Sequence, residues 1–469
     1  MTPSSTTAPA VTEADVVVVG LGAWGSQALW RLAARGLRVV GVERFGAGHV
    51  LGSTHGATRL FRIACMEHPG LAPIATRARD LWHELGDRTG QTLLRQTGGI
   101  MVGPRDGHVV AGTLRAVEEA GLDAELLEHD ELVARFPQYA GLGPDDVGVW
   151  DPAAGVTYPE AGVRAAVRAA EELGATVLLD TRVTDVSLVD GGVVVTAGGR
   201  EIRAPRAVVA LGAWTPQVVD LPLVARRTPL FWFEGPTPEA TAPGGDFDLA
   251  AFPVFIRQLP DGTTLWGHGA DATDGDGYAV KIGLEDSGGA FDDTEADTVD
   301  RYIRPARDTD QLSAAVARAF PGLDPRPARA IPCMVTNSPD RQFVLGSPGG
   351  DRRLVVAGGD SGHGFKHAPA IGELLAQLAT DEQPFTDISF LDPDRPFDGS
   401  SWLDEPGRPR EPHPAVPATG ATGASGTPAP DATGASGTPA PDATPASGTP
   451  APDATPASGT PDDTDRRAA

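Results

Sequence analysis

Lysine is almost missing from this 469-residue chain: of 38 basic residues only Lys281 and Lys366 are lysines, leaving 36 arginines. Cysteine is as scarce, with Cys65 and Cys333 alone. Two thiols cannot build a disulfide framework, which excludes the small stapled secreted folds and points to the cytoplasm. Residues 1–13 have neither a basic opening nor an apolar stretch, so no secretory signal is expected. No apolar run approaches the ~20 residues of a membrane span, so no membrane partner is expected. Positive charge is also in deficit. The formal net charge is −25, and a surface of that sign excludes nucleic acid as a partner. The length allows two or three domains with an ample core.

The two lysines that remain carry information. A chain that uses arginine nearly everywhere keeps lysine most readily where a planar guanidinium cannot replace a compact ammonium. Compositional drift would leave two lysines anywhere, so their location has to decide.

What is present begins with Asp15-Val16-Val17-Val18-Val19-Gly20-Leu21-Gly22-Ala23-Trp24-Gly25. Four valines suit a strand buried on both faces of a parallel sheet. Gly20, Gly22 and Gly25 stand where a tight turn, an approaching pyrophosphate and close helix–strand packing each require a missing side chain. A helix over Ala23 to Arg35 follows, its N-terminus open to an anion. A second strand, Leu37 to Val42, ends at Glu43, whose carboxylate suits a ribose 2′-OH and would repel a 2′-phosphate. The fingerprint predicts a dinucleotide and leaves FAD and NAD both open.

Leu51 to Arg62 concentrates His55, Thr58, Arg59 and Arg62 in a polar loop beside that site, and two arginines there suit an anion. Helices are expected over 70–86, 109–121 and Pro159 to Leu173, with strand-like Leu93 to Val102 between the first two. Strands are expected at Thr176 to Leu179, Thr181 to Val186, Val193 to Thr196 and Ala207 to Leu211. From Arg226 to Ile282 short strands and frequent turn signals suggest an antiparallel sheet. Its last strand puts Lys281 on the face opposite Val280 and Ile282. Helices are expected over 294–304 and 310–319, and a proline-interrupted strand over Ala330 to Thr336. Leu354 to Gly359 repeats the strand-then-glycine pattern. Lys366 then falls near a helix N-terminus, where a cation needs a negative partner.

The segment at 424–433 recurs at 435–444 and 446–455, a period of 11 built from Pro, Gly, Ala, Ser and Thr. Such a composition cannot bury enough surface to offset its ordering entropy. Residues 405–469 are read as a low-complexity disordered tail, and truncation near Asp404 is expected to leave turnover intact. Loss of activity in the shortened protein would refute that reading.

With these motifs in place, Asp15 to Pro396 resembles the monomeric sarcosine oxidase and N-methyltryptophan oxidase group of the D-amino-acid-oxidase-like flavoproteins. The match rests on Gly20 to Gly25 with Glu43, on His55-Gly56-Ala57-Thr58-Arg59-Leu60-Phe61-Arg62, on Val280-Lys281-Ile282-Gly283, on Cys333, and on Ser361-Gly362-His363-Gly364-Phe365-Lys366. Both lysines fall on family positions. The resemblance implies an α/β (α+β overall) fold: a Rossmann-type FAD-binding domain from 14–92, 150–220 and 327–396, with an antiparallel-sheet substrate domain from 93–149 and 221–326. Residues 1–13 are expected to be a disordered N-terminus.

FAD is the implied cofactor, held by Gly20, Gly22, Gly25, Glu43, Arg59, Val183, Gly362 and Gly364, and joined through a thioether to Cys333. No metal is implied. Arg62 and Lys366 would clamp a substrate carboxylate, Lys281 would serve dioxygen, and His55 would stand beside the flavin ring. The implied reaction oxidises an N-methyl or secondary amino acid to an imine in a monomer, with dioxygen reduced to hydrogen peroxide. A flavin dehydrogenase using another electron carrier and a non-catalytic binding protein of the same fold are the alternatives. Departures touch the substrate. Val335 stands in place of a tyrosine, Glu285 in place of a histidine, and Cys65 in place of an aromatic. The loss of the tyrosine enlarges the pocket and removes a hydroxyl, which favours a bulkier or less polar substrate than sarcosine, and Glu285 would attract a cation if it faced the pocket.

Overall fold

The valine strand Val16–Val19 is buried at every residue because both faces of its sheet are covered. Val16 and Val18 point into a core shared with the helices Ala23–Ala34, Leu71–Thr89, Pro159–Glu172 and Ala368–Ala379. Val17 and Val19 pack instead against Val193, Val195 and Ile202. Each such burial contributes on the order of 1.5–3 kcal/mol, so polar alternation would be unstable here. In this computed structural model the described residues are 11–272, 279–285 and 293–397. The tail read at 405–469 and residues 1–10 lie outside them.

Val16–Val19 is a central strand of a six-stranded sheet. The order is Thr176–Leu178, Val39–Val42, Val16–Val19, Arg206–Val209, Leu354–Gly358 and Val344–Gly346. All pairings are parallel except the last, at the edge. The strands come from three separate stretches of chain. The layer on the Val17 side is a four-stranded sheet, Val11–Glu13, Arg200–Ala204, Gly192–Ala197 and Val183–Val189.

A second, eight-stranded sheet runs Arg329–Ile331, Leu230–Phe233, Val280–Leu284, Thr264–His268, Val254–Gln258, Gly99–Pro104, Asp146–Asp151 and Glu125–Leu127. It is antiparallel except where Gly99–Pro104 runs parallel to Val254–Gln258. Its aromatic core includes Phe231, Phe233, Phe252, Phe255 and Phe320. The mixed α/β architecture agrees with the expected fold class.

Several local expectations are corrected. Val11–Glu13 is not disordered: it pairs in parallel with Glu201 to Arg203. No helix forms over 294–304, where a two-residue strand, Asp293–Thr294, is followed by turns that include Pro305 and a positive φ at Ala306. The run Leu93 to Val102 is two strands, broken at Gly98 (φ +79°), that enter different sheets. Arg329–Ile331 belongs to the eight-stranded sheet although it falls after 327.

Candidate functional site

The long cavity of the protein starts at the end of the valine strand. Gly20 has φ +88°, and a Cβ there would stand 2.6 Å from the Ala210 carbonyl oxygen. A Cβ on Gly25 would lie 1.8 Å from the Gly20 oxygen, so only glycine lets the helix start this close to the strand. Gly22 caps the helix with open space where a side chain would be. Glu43 is buried and braces this turn: its carboxylate accepts the Leu21 N–H at 2.8 Å and the Phe45 N–H at 2.9 Å.

Of the residues predicted from sequence, Gly20, Gly22, Glu43, Arg59, Arg62, Val183, Cys333, Gly362, Gly364 and Lys366 line this one cavity. Gly25 stands behind it as a packing residue. Lys281 and His55 are not on its wall. Lys281 is fully buried and donates to the carbonyls of Gly56 at 2.6 Å and Thr58 at 2.8 Å, its ammonium 5.0 Å from the Trp232 ring. Arg59 donates to the same Thr58 carbonyl at 2.9 Å, so lysine and cavity wall share one acceptor. His55 is 2% exposed and opens on a second cleft with Arg164, Arg301 and Arg329. Among the described residues neither ring nitrogen has a hydrogen-bond partner, and burial with the nearby Arg59 and Lys281 pushes its pKa down to about 3. The imidazole is therefore neutral at physiological pH.

The loop before the last helix is pinned by two indoles. Trp24 Nε1 donates to the Gly364 carbonyl at 3.2 Å and Trp82 Nε1 to the Lys366 carbonyl at 3.1 Å. Lys366 is consequently buried, its ammonium 3.0 Å from the His363 carbonyl and 3.7 Å from Glu67 Oε1. Arg62 donates to the same Glu67 oxygen and, at 2.7 Å, to the Ala64 carbonyl. Burial alone would raise the Glu67 carboxyl, but Arg62 and Lys366 together hold it well below the usual range. Burial also lowers the Lys366 pKa, an effect Glu67 opposes. The second oxygen, Oε2, is buried without a hydrogen-bond partner among the described residues.

Cys333 is buried, with Sγ 3.6 Å from the Ser53 carbonyl and 3.9 Å from Arg59 Nη2. Burial pushes its thiol up and Arg59 opposes this. Asp360 is pushed up to about 6 by burial while accepting the Gly362 N–H at 3.0 Å. Val335 and Glu285 both line the cavity. Cys65 does not: it lies buried with Sγ 3.9 Å from His367 Nε2, and burial pushes it up to about 11. Sequence reasoning missed Glu67 and Asp360. Glu67 sits in the loop five residues after Arg62, where no periodicity marks it, and its role appears only when Lys366 folds onto it.

Residues 15–378 match the family described as FAD dependent oxidoreductase. The chain is 32% identical over 387 residues to monomeric sarcosine oxidase of Streptomyces avermitilis, covering 81% of this chain and 97% of the relative. It is 28% identical over 377 residues to N-methyl-L-tryptophan oxidase of Salmonella arizonae, covering 80% and 97%. Among solved structures, NikD, an unusual amino acid oxidase essential for nikkomycin biosynthesis, is similar with a TM-score of 0.69 at 25% identity, over 83% of this chain and 98% of that one. Glycine oxidase from Geobacillus kaustophilus shares the fold with a TM-score of 0.64 at 21% identity, over 82% and 99%.

Proposed function

We propose, from the premise that the chain belongs to the FAD dependent oxidoreductase family, that it oxidises N-methyl or secondary amino acids to imines, with dioxygen reduced to hydrogen peroxide. The residues present fit FAD: a glycine turn with open space at Gly22, a buried acid at Glu43, and a continuous wall from there past Val183 to Cys333 and Gly362. When bound, FAD supplies the two-electron acceptor for the amine and returns the pair to dioxygen.

The observation that carries the substrate reading is the meeting of two buried cations, Arg62 and Lys366, on one carboxylate inside the cavity. Glu67 meets both donors, and the acid end of an amino acid would be drawn to the same pair. Arginine offers the planar fork and lysine the point charge that such an anion needs. A carboxylate fixed there aims the C–H bond next to the nitrogen. The same positive field favours the neutral amine, the form able to give up hydride. Lys281 supplies a buried ammonium for the charge that develops on reduced oxygen.

The reading includes covalent attachment of the flavin at Cys333, where Arg59 favours the thiolate that must attack. In wild-type protein precipitated with acid, the yellow chromophore is expected to stay with the pellet. In Cys333→Ser it is expected in the supernatant, and an equal partition in the two would remove the linkage. The reading takes the chain as a cytoplasmic monomer. It divides the folded part into FAD-binding stretches 14–92, 150–220 and 327–396, less the strand Arg329–Ile331, and a substrate part 93–149 and 221–326, which that strand joins. A peroxide-coupled screen of N-methyl amino acids tests the activity. Reduction of the flavin by such an amine without peroxide release would turn the assignment toward a dehydrogenase.

A further inference from the structure

The cavity wall formed by Leu60, Met66, Ile256, Trp266 and Leu284 is apolar until it reaches Glu285. This acid is built in rather than loosely placed. Its N–H donates to the Thr264 carbonyl at 2.9 Å, and the carbonyl before it, of Leu284, accepts Trp266 Nε1 at 3.0 Å. Its carboxylate lies 3.3 Å from His108 Nε2, which is itself 3.4 Å from Thr264 Oγ1. The side chain is 28% exposed, so it is partly withdrawn from water and still open to the cavity.

The charges around it decide what can bind. Arg62 and Lys366 already meet Glu67, and the acid end of a substrate uses the same two cations. Glu285 acts electrostatically on Arg62 and adds a carboxylate to a cavity also lined by Glu43, Glu67 and Asp360. A substrate with a second carboxylate would meet repulsion there. A wholly apolar side chain would strip water from the Glu285 carboxylate and return nothing for it. A side chain ending in a cation replaces that water with a charge-assisted hydrogen bond. Val335, a small side chain, lines the same cavity.

We infer that Glu285, oriented by His108, selects N-methyl or secondary amino acids whose aliphatic side chain ends in an ammonium or guanidinium. This deepens the amine oxidase reading and rests on it.

The test compares kcat/KM of the holoenzyme for four probes: N-methylglycine, Nα-methylnorleucine, Nα-methyllysine and N-methylglutamate. The lysine derivative is expected to exceed its neutral isostere norleucine by about tenfold, the worth of one partly desolvated charge pair. N-methylglutamate is expected to be the poorest of the three larger probes. In Glu285→Gln the lysine-to-norleucine ratio is expected to fall to about one, mainly through KM. Parity in wild type, or a preference that survives Glu285→Gln, overturns the inference while leaving the oxidase reading in place. The wild-type comparison stands even if the variant folds poorly. If none of the four probes reduces the flavin anaerobically, the oxidase reading fails and the inference fails with it.

Discussion

Lys281→Met is expected to reduce its flavin with substrate at a rate within a few-fold of wild type and then to reoxidise in air on the order of 10²–10³ times more slowly. The reason lies in where the ammonium is held. Lys281 is fully buried beside the cavity wall, donating to the Gly56 and Thr58 carbonyls and sitting over the Trp232 face. These contacts fix the ammonium just behind the wall, and in a medium of low dielectric a charge acts over such a distance. Dioxygen gains negative charge as it is reduced, whereas the amine step does not place an anion at this point. Methionine matches the stem length and keeps the packing, so the change removes charge and little else. The measurement is stopped-flow mixing of anaerobically reduced enzyme with oxygenated buffer. Unchanged reoxidation would exclude Lys281 from the oxygen step.

Arg62→Ala is expected to weaken carboxylate ligands by about 2–5 kcal/mol, roughly 30-fold to several thousand-fold in Kd. Arg62 is 5% exposed and is one of two cations that meet Glu67. With the guanidinium gone, Lys366 alone must serve both Glu67 and the incoming carboxylate, so the ligand loses its better partner and meets an acid left less well neutralised. Removing one member of a buried pair also costs about 3–5 kcal/mol of stability. Binding should therefore be titrated on folded, flavin-containing protein through the perturbation of the visible spectrum. A wild-type Kd for a simple carboxylate such as acetate would place the substrate elsewhere.

Much of this site could be read from the chain because its logic is local. The valine run, the three glycines and Glu43 lie within one strand–helix–strand unit, and strand burial on two faces leaves a continuous apolar signature. The two lysines stood out because nearly every other cation is arginine. The unread part is non-local. Glu67 joins Arg62 and Lys366 across a separation that no periodicity encodes, and Glu285 meets His108 through the end of an interior strand and a helix start far apart in sequence. The 294–304 segment carried enough Ala, Asp and Glu at its start to suggest a helix, yet Pro305 and the positive φ at Ala306 favour turns there. Alternation places Lys281 on its strand, but the carbonyls that hold it come from the loop at Gly56–Thr58, which a strand's own pattern cannot reveal.

The position of the valine strand has a consequence for biosynthesis. Its two neighbours in the sheet are Val39–Val42 and Arg206–Val209, and the next strand outward is Leu354–Gly358. The helix Ala23–Ala34 likewise rests against Ala368–Ala379. At about 5–20 residues per second, the ribosome delivers those last partners roughly 20–70 s after the first strand emerges. Val39–Val42 follows within seconds, but Arg206–Val209 emerges only after roughly 10–40 s, so until then one edge of the four-valine strand has no partner from its own sheet. The cavity, walled by Gly20 to Trp24 at one end of the chain and by Gly358 to Lys366 far along it, therefore cannot close around a cofactor until Lys366 has been made.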